Sequence, residues 1–162
     1  MTRPSIITPA LRAHLAGGFA LRHQSEHGPA HWARVRSNGL MLVAETGADR
    51  EVVELFAVIH DAKRRNEWDD PQHGPRAARL AERLNGQLFE LERMRLALLI
   101  EACRMHDRGQ TTDDPTIGTC WDADRLDLGR VGIVPDPAYL STEVARRPEV
   151  IEAALARSGY LC

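Results

Sequence analysis

Proline and glycine cut this sequence into segments, and inside each segment the apolar residues return every three or four positions. That spacing is one face of an α-helix. Nowhere do Val, Ile, Thr and aromatic residues alternate for long enough to define a strand. The chain therefore predicts an all-α bundle of antiparallel helices with short connections, roughly six or seven of them by their punctuation.

A first helix is expected from Pro9 to His23, weakened in its middle by Gly17-Gly18. Pro29 suits the first turn of a second helix running to Glu45, with Trp32, Val35, Leu42 and Val43 facing the core. Gly47 stops it, and Asp49 is the N-cap candidate of a third. That third helix carries Val52, Leu55, Phe56 and Ile59 on one stripe and ends in His60-Asp61. Arg65 to Gln72 reads as a polar loop. A fourth helix starts at His73-Gly74-Pro75 and a fifth spans Gly86 to Met105. Asp107 to Gly118 reads as a second loop, Cys120 to Leu128 as a short helix, and Gly129 to Pro137 as irregular. A last helix is expected from Thr142 to Gly159, interrupted at Pro148.

The 162 residues suit a single domain over 1–162. No apolar run approaches the roughly 20 residues of a membrane span, and residues 1–9 lack the apolar stretch of a signal peptide. The expected location is the cytoplasm. Cys103, Cys120 and Cys162 form no close pair and read as free thiols. The formal net charge of -2 gives no strong sign of nucleic-acid binding. Lys63-Arg64-Arg65 is a short basic run, and a small polar ligand is the expected partner. Oligomeric state is not legible.

Chemistry concentrates where polar residues interrupt apolar stripes. His60-Asp61 ends one stripe, and His31 stands beside Trp32 and Val35 near the start of the preceding helix. A tight turn makes those two helices antiparallel, which brings the start of one to the end of the other. Imidazole nitrogens and carboxylate oxygens are the donors of a borderline divalent ion. Neighbouring helix residues point about 100° apart, so His60 and Asp61 reach one ion only if it sits between them. Asp124 is a further candidate, because Trp121, Leu126 and Leu128 anchor its segment; Asp122 and Asp127 are also available. His60-Asp61 in isolation would read as a histidine favoured by the helix dipole beside a solvated acid.

His31, then His60-Asp61, then Asp124 within Ala-Asp-Arg-Leu is similar to the H…HD…D signature of the HD-domain metal-dependent phosphohydrolase superfamily. The resemblance covers residues 27 to 128, with the terminal helices packed on that core. It implies an HD-type all-α fold, a divalent ion (Mn, Mg, Ni, Co, Fe or Zn) on His31, His60, Asp61 and Asp124, and hydrolysis of phosphoesters. Among the late acids, Asp124 matches the family ligand by its sequence context, and Asp127 is left to support it or to contact substrate. His73 in His-Gly-Pro resembles an element that follows the HD pair in many members. His106 falls where members with a second metal carry adjacent histidines, but this chain has Met105-His106.

The mechanism so implied is attack by metal-activated water on a small phosphorylated molecule, such as a nucleotide. Asp61 orients the water, Lys63 and Arg64 clamp phosphate, and His73 or His106 protonates the leaving oxygen. His73 and His106 otherwise serve as substrate hydrogen-bond donors. His27, four residues before His31, and Cys103, on the face of His106, are read as outside the ligand set. Two rival functions share this site: a regulatory module that binds a nucleotide without turnover, and a di-iron oxygenase of the same fold.

Overall fold

The computed structural model describes residues 3–160, and Cys162 lies outside them. The described residues form seven α-helices joined by turns, with no β-strand. They are α1 (Pro9–Gly17), α2 (Pro29–Thr46), α3 (Arg50–Ile59), α4 (His73–Leu84), α5 (Arg93–Met105), α6 (Pro115–Arg125) and α7 (Pro148–Ser158). Short 3-10 turns cover Leu126–Val131 and Pro137–Tyr139.

Helix α3 is the hub. Every residue from Val52 to Ile59 is buried, and α3 packs against α1, α2, α4, α5 and α6. Asp49 starts it by accepting the Glu51 and Val52 N–H groups. Gly47, at φ 71°, turns the chain back after α2, so α2 and α3 run antiparallel. They pack closely because Gly39 has no side chain: a Cβ there would lie 2.5 Å from Val53. A second apolar cluster, built from Leu42, Leu126, Leu140, Val144, Ile151 and Leu155, seats α7 on the far side.

Four boundaries differ from the sequence expectation, each for a local reason. Helix α1 stops at Gly17, not His23, where Gly18 N–H closes the end on the Ala16 and His14 carbonyls. Helix α5 starts at Arg93, not Gly86. The Asn85 side chain accepts from Leu91 N–H and donates to its carbonyl, which folds 85–91 into a turn, and Glu92 becomes the cap. Helix α6 starts at Pro115 because Asp114-Pro115 is an N-cap followed by a proline in the first turn. Pro148 opens α7 instead of interrupting it. The residues before it are drawn elsewhere, as Asp122 accepts the Ser141 and Thr142 N–H groups.

Candidate metal centre

The antiparallel pair of α2 and α3 places the first turn of one beside the end of the other. His31 Nε2 consequently lies 3.1 Å from His60 Nε2. Helix α6 crosses both and brings Asp124 Oδ1 to 3.2 Å from His31 Nε2 and 3.5 Å from His60 Nε2. Asp61 Oδ2 completes the group, 3.6 Å from His31 Nε2 and 3.7 Å from His60 Nε2.

A second group sits on the other oxygen of Asp61. His73 opens α4 and His106 follows α5, with their Nε2 atoms 2.9 Å apart. Asp61 Oδ1 is 3.3 Å from His73 Nε2 and 3.5 Å from His106 Nε2. Gly74 permits this meeting, because a Cβ there would lie 2.8 Å from the carbonyl oxygens of Cys103 and Arg104. Only glycine lets the first turn of α4 settle against the last turn of α5.

All four imidazoles commit Nδ1 to an acceptor. His31 Nδ1 donates to Asp127 Oδ2 at 2.7 Å. His60 Nδ1 donates to the Phe56 and Ala57 carbonyls, both at 3.1 Å. His73 Nδ1 donates to the Asp70 carbonyl at 2.5 Å, and His106 Nδ1 to that of Cys103 at 2.7 Å. A neutral imidazole carries one N–H, so each Nε2 turns a lone pair inward. Four lone pairs and two carboxylates thus confront one another in a buried space, an arrangement that only cations satisfy. Ligands about 2.1 Å from a shared ion stand about 3 Å apart, close to the separations found here. The donor set fits a divalent metal. His31, His60 and Asp61, with Asp124 against both histidines, could hold one ion, and Asp61, His73 and His106 a second; His106 also lies within reach of His60 and Asp124.

The surrounding groups keep both carboxylates ionised and draw positive charge into the centre. Burial opposes ionisation of Asp61, but His60, His106, His27 and His73 hold its carboxyl well below the ordinary range. Asp124 is likewise held low against burial by His60 and His31. Burial pushes His31 down, yet Asp124 and Asp127 prevail and raise it.

Several residues take positions that the sequence did not announce. His27 stands before α2, where Trp32 Nε1–H holds its carbonyl at 2.8 Å, and its Nδ1 reaches Asp61 Oδ2 at 3.1 Å. The i, i+4 spacing to His31 was the available signal; Pro29 between them hid it by starting the helix after His27. Asp127 is buried behind His31, with Arg34 Nε on its other oxygen at 2.8 Å. Asp122 is a structural acid that holds Ser141 and Thr142. Lys63 directs its ammonium to Gly18 at the end of α1, not to the converging donors. Arg64 lays Nη1 3.3 Å from both ring nitrogens of His73, while Nη2 donates to Trp68 O and Nε to Asn66 O. Cys103 and Cys120 are buried and free, with burial pushing both thiols up.

This bundle, with its histidines and aspartates gathered around one helix end, is the HD-domain fold. It matches the crystal structure of a predicted HD superfamily hydrolase from an uncultured Thermotogales bacterium, with a TM-score of 0.68 over 91% of this chain and 85% of that one, at 21% identity. No family model and no curated protein matches the sequence. Among the described residues, no helix is long and apolar enough to cross a membrane.

Proposed function

We propose that this chain is a metal-dependent phosphohydrolase acting on a small phosphorylated molecule, with a nucleotide as the first class to test. The observation that carries the reading is the convergence of four Nε2 lone pairs on the two oxygens of Asp61. His31, His60, Asp61 and Asp124 are the ligands of the first ion, and Asp61, His73 and His106 those of a second. A divalent ion bound there supplies positive charge for a phosphate oxygen and lowers the pKa of coordinated water.

The chain's own groups do the rest. Asp61 faces both clusters and orients what binds between them. Asp127 fixes the His31 ring so that Nε2 stays a ligand atom. His27 hydrogen-bonds Asp61 Oδ2 and approaches the Glu67 carbonyl at 3.4 Å, so it steadies the carboxylate from the loop side. Arg64 keeps positive charge beside His73 while tethering the loop before α4.

The test strips purified protein with chelator, reloads it with Mn, Mg, Co, Ni, Zn or Fe(II), and measures phosphate release from phosphomonoesters, phosphodiesters and nucleoside phosphates. The expected result is turnover that disappears on chelation and returns with metal. No turnover across the panel, with nucleotide still raising the melting temperature, would transfer the reading to a regulatory module. The pairing of clusters across Asp61 also favours a second reading, a di-iron oxygenase. Two irons per chain, with oxygen consumed and no phosphate released, would establish it instead.

A further inference from the structure

A cleft of about 320 Å³ lies between the 3-10 turns and the loop after His106, bounded by Gly109, Leu128, Ile133, Val134 and Tyr139. Its walls are apolar and partly open to solvent: Ile133 is 51% exposed and Val134 50%. That is within the size range of pockets for small organic molecules. Its one basic side chain is Arg125, which follows Asp124 on α6 and is only 9% exposed.

Arg125 is held on one side only. Nη1 donates to the Tyr139 carbonyl at 2.6 Å, and the guanidinium carbon sits 5.5 Å from the centre of the Trp121 ring. Among the described residues, Nε makes no hydrogen bond and Nη2 is buried without a partner. Among the described residues no carboxylate approaches the guanidinium within 4.0 Å. Asp136, the acid of the cleft, instead caps the following turn by accepting from Ala138 N–H. Asp124 and Asp122 act on the guanidinium only from beyond 4.0 Å, and a buried donor left without an acceptor is costly.

Other arginines show what this edge is suited to. Arg95 holds Asp49 through Nε at 2.5 Å and Nη2 at 2.7 Å. Arg36 holds Glu54 through the same two atoms, at 3.0 and 2.5 Å. The Nε–Nη2 edge is the side of the guanidinium that takes a carboxylate with two donors. At Arg125 the same edge has no carboxylate, and the surface beside it is apolar.

We propose that the cleft binds an organic carboxylate with a flat apolar body, its carboxylate on the Nε–Nη2 edge of Arg125 and its body against Leu128, Ile133 and Val134. Because Nη2 is shielded from water, the carboxylate reaches it only as the side chains that cover this edge give way. The inference does not depend on the hydrolase reading, since it uses none of the metal-centre donors.

The test titrates 2-naphthoate, with neutral 2-naphthamide as control, into the full ¹⁵N-labelled chain stripped of metal by EDTA. The expected result is binding of naphthoate at least tenfold tighter than of the amide, with amide shifts centred on Gly109, Leu128 and residues 133–136. Arg125→Leu abolishes the preference for the acid. Val134→Glu, at a half-exposed position that leaves the core intact, weakens naphthoate more than naphthamide. Wild-type affinity in Arg125→Leu, equal affinity for acid and amide, or shifts centred on His31 and His60 would each overturn the proposal. No binding at millimolar naphthoate would also overturn it.

Discussion

His31 and His60 face one oxygen of Asp61, and His73 and His106 face the other. The two halves share their donor chemistry but differ in charge. The first has Asp124 as a second carboxylate, and Asp127 lies behind His31. The second has Asp61 as its central carboxylate, with Asp124 within reach of His106 and Asp107 Oδ2 3.7 Å from His73 Nδ1. Its His73 is backed by a carbonyl, with the Arg64 guanidinium against the ring. A divalent cation would therefore meet Asp61 and Asp124 directly on the first side, and on the second a guanidinium lying against one of the histidine rings. The lesson is that equal numbers of histidines do not make equal sites: surrounding charge ranks them, and the first half is expected to fill at lower metal concentration.

The hardest way to break this comparison is to remove what the halves share. Asp61→Ala is expected to lose both ions and to lower phosphoester turnover by about a thousandfold or more, given several kcal/mol of transition-state stabilisation from bound metal. Elemental analysis and steady-state assays read both losses. His106→Ala is the matched control and is expected to lose only the second ion. Full retention of one ion in Asp61→Ala would show that the clusters do not depend on a common carboxylate.

Next in size is the carboxylate behind His31. Asp127→Asn keeps the shape but removes the charge that fixes the imidazole. A supporting partner of this kind is worth about 10- to 100-fold in metal affinity. The loss is expected in the first, tighter class of ions in a metal titration, with the second class unchanged. If the weaker class moves instead, the assignment of halves is wrong.

How much of this was legible in the sequence follows from what each residue depends on. His31 and His60-Asp61 were readable because a tight turn at Gly47 makes two helices antiparallel, and topology alone then brings their ends together. The all-helical fold was readable for the same reason, from periodicity and proline or glycine breaks. Asp124 could be picked from three nearby acids only by resemblance. Spacing cannot say that Asp122 turns toward Ser141 and Asp127 toward His31, since that depends on where α6 passes into a 3-10 turn. The closeness of His73 and His106 was hidden because it rests on the missing side chain of Gly74 against the end of α5. The start of α5 was misplaced because the Asn85 side chain stands in for backbone partners, a tertiary closure without periodic signal.

The loop before α4 sharpens the second half through stability. Asp70 supplies the carbonyl that holds His73, and its carboxylate pairs with Arg76 and accepts from Arg65 N–H. Burial raises the Asp70 pKa, but Arg76 and the Arg65 N–H overcome this and lower it. A lowered folded pKa means stability that is present above the unfolded carboxylate value and lost as pH falls through the folded one. Asp70→Asn is expected to cost about 1.5–3 kcal/mol at neutral pH, the range for hydrogen bonds to charged groups. Its unfolding curve should approach that of the wild type as the pH falls below the ordinary carboxylate range. A gap that persists there would assign the cost to packing and not to charge.

The smallest effect is the most direct probe of the ranking. Arg64→Met removes the cation beside His73 while leaving an unbranched chain to fill its place. Two unit charges about 4 Å apart interact by about 1 kcal/mol even at the dielectric of water, so the weaker ion is expected to bind about fivefold tighter. The first class of ions should not change, because the Arg64 guanidinium touches none of its ligands and the Arg64 N–H bond to the Asp61 carbonyl is kept in the variant. Losing the hydrogen bonds to Trp68 O and Asn66 O also loosens the loop, which acts in the opposite direction by freeing His73. Comparison with Arg64→Lys separates the two, since lysine keeps the charge but cannot span both carbonyls with a planar fork. Tighter binding in Arg64→Met together with weaker binding in Arg64→Lys identifies charge as the cause. Weaker binding in both would mean that loop order, and not the guanidinium charge, sets the affinity of the second half.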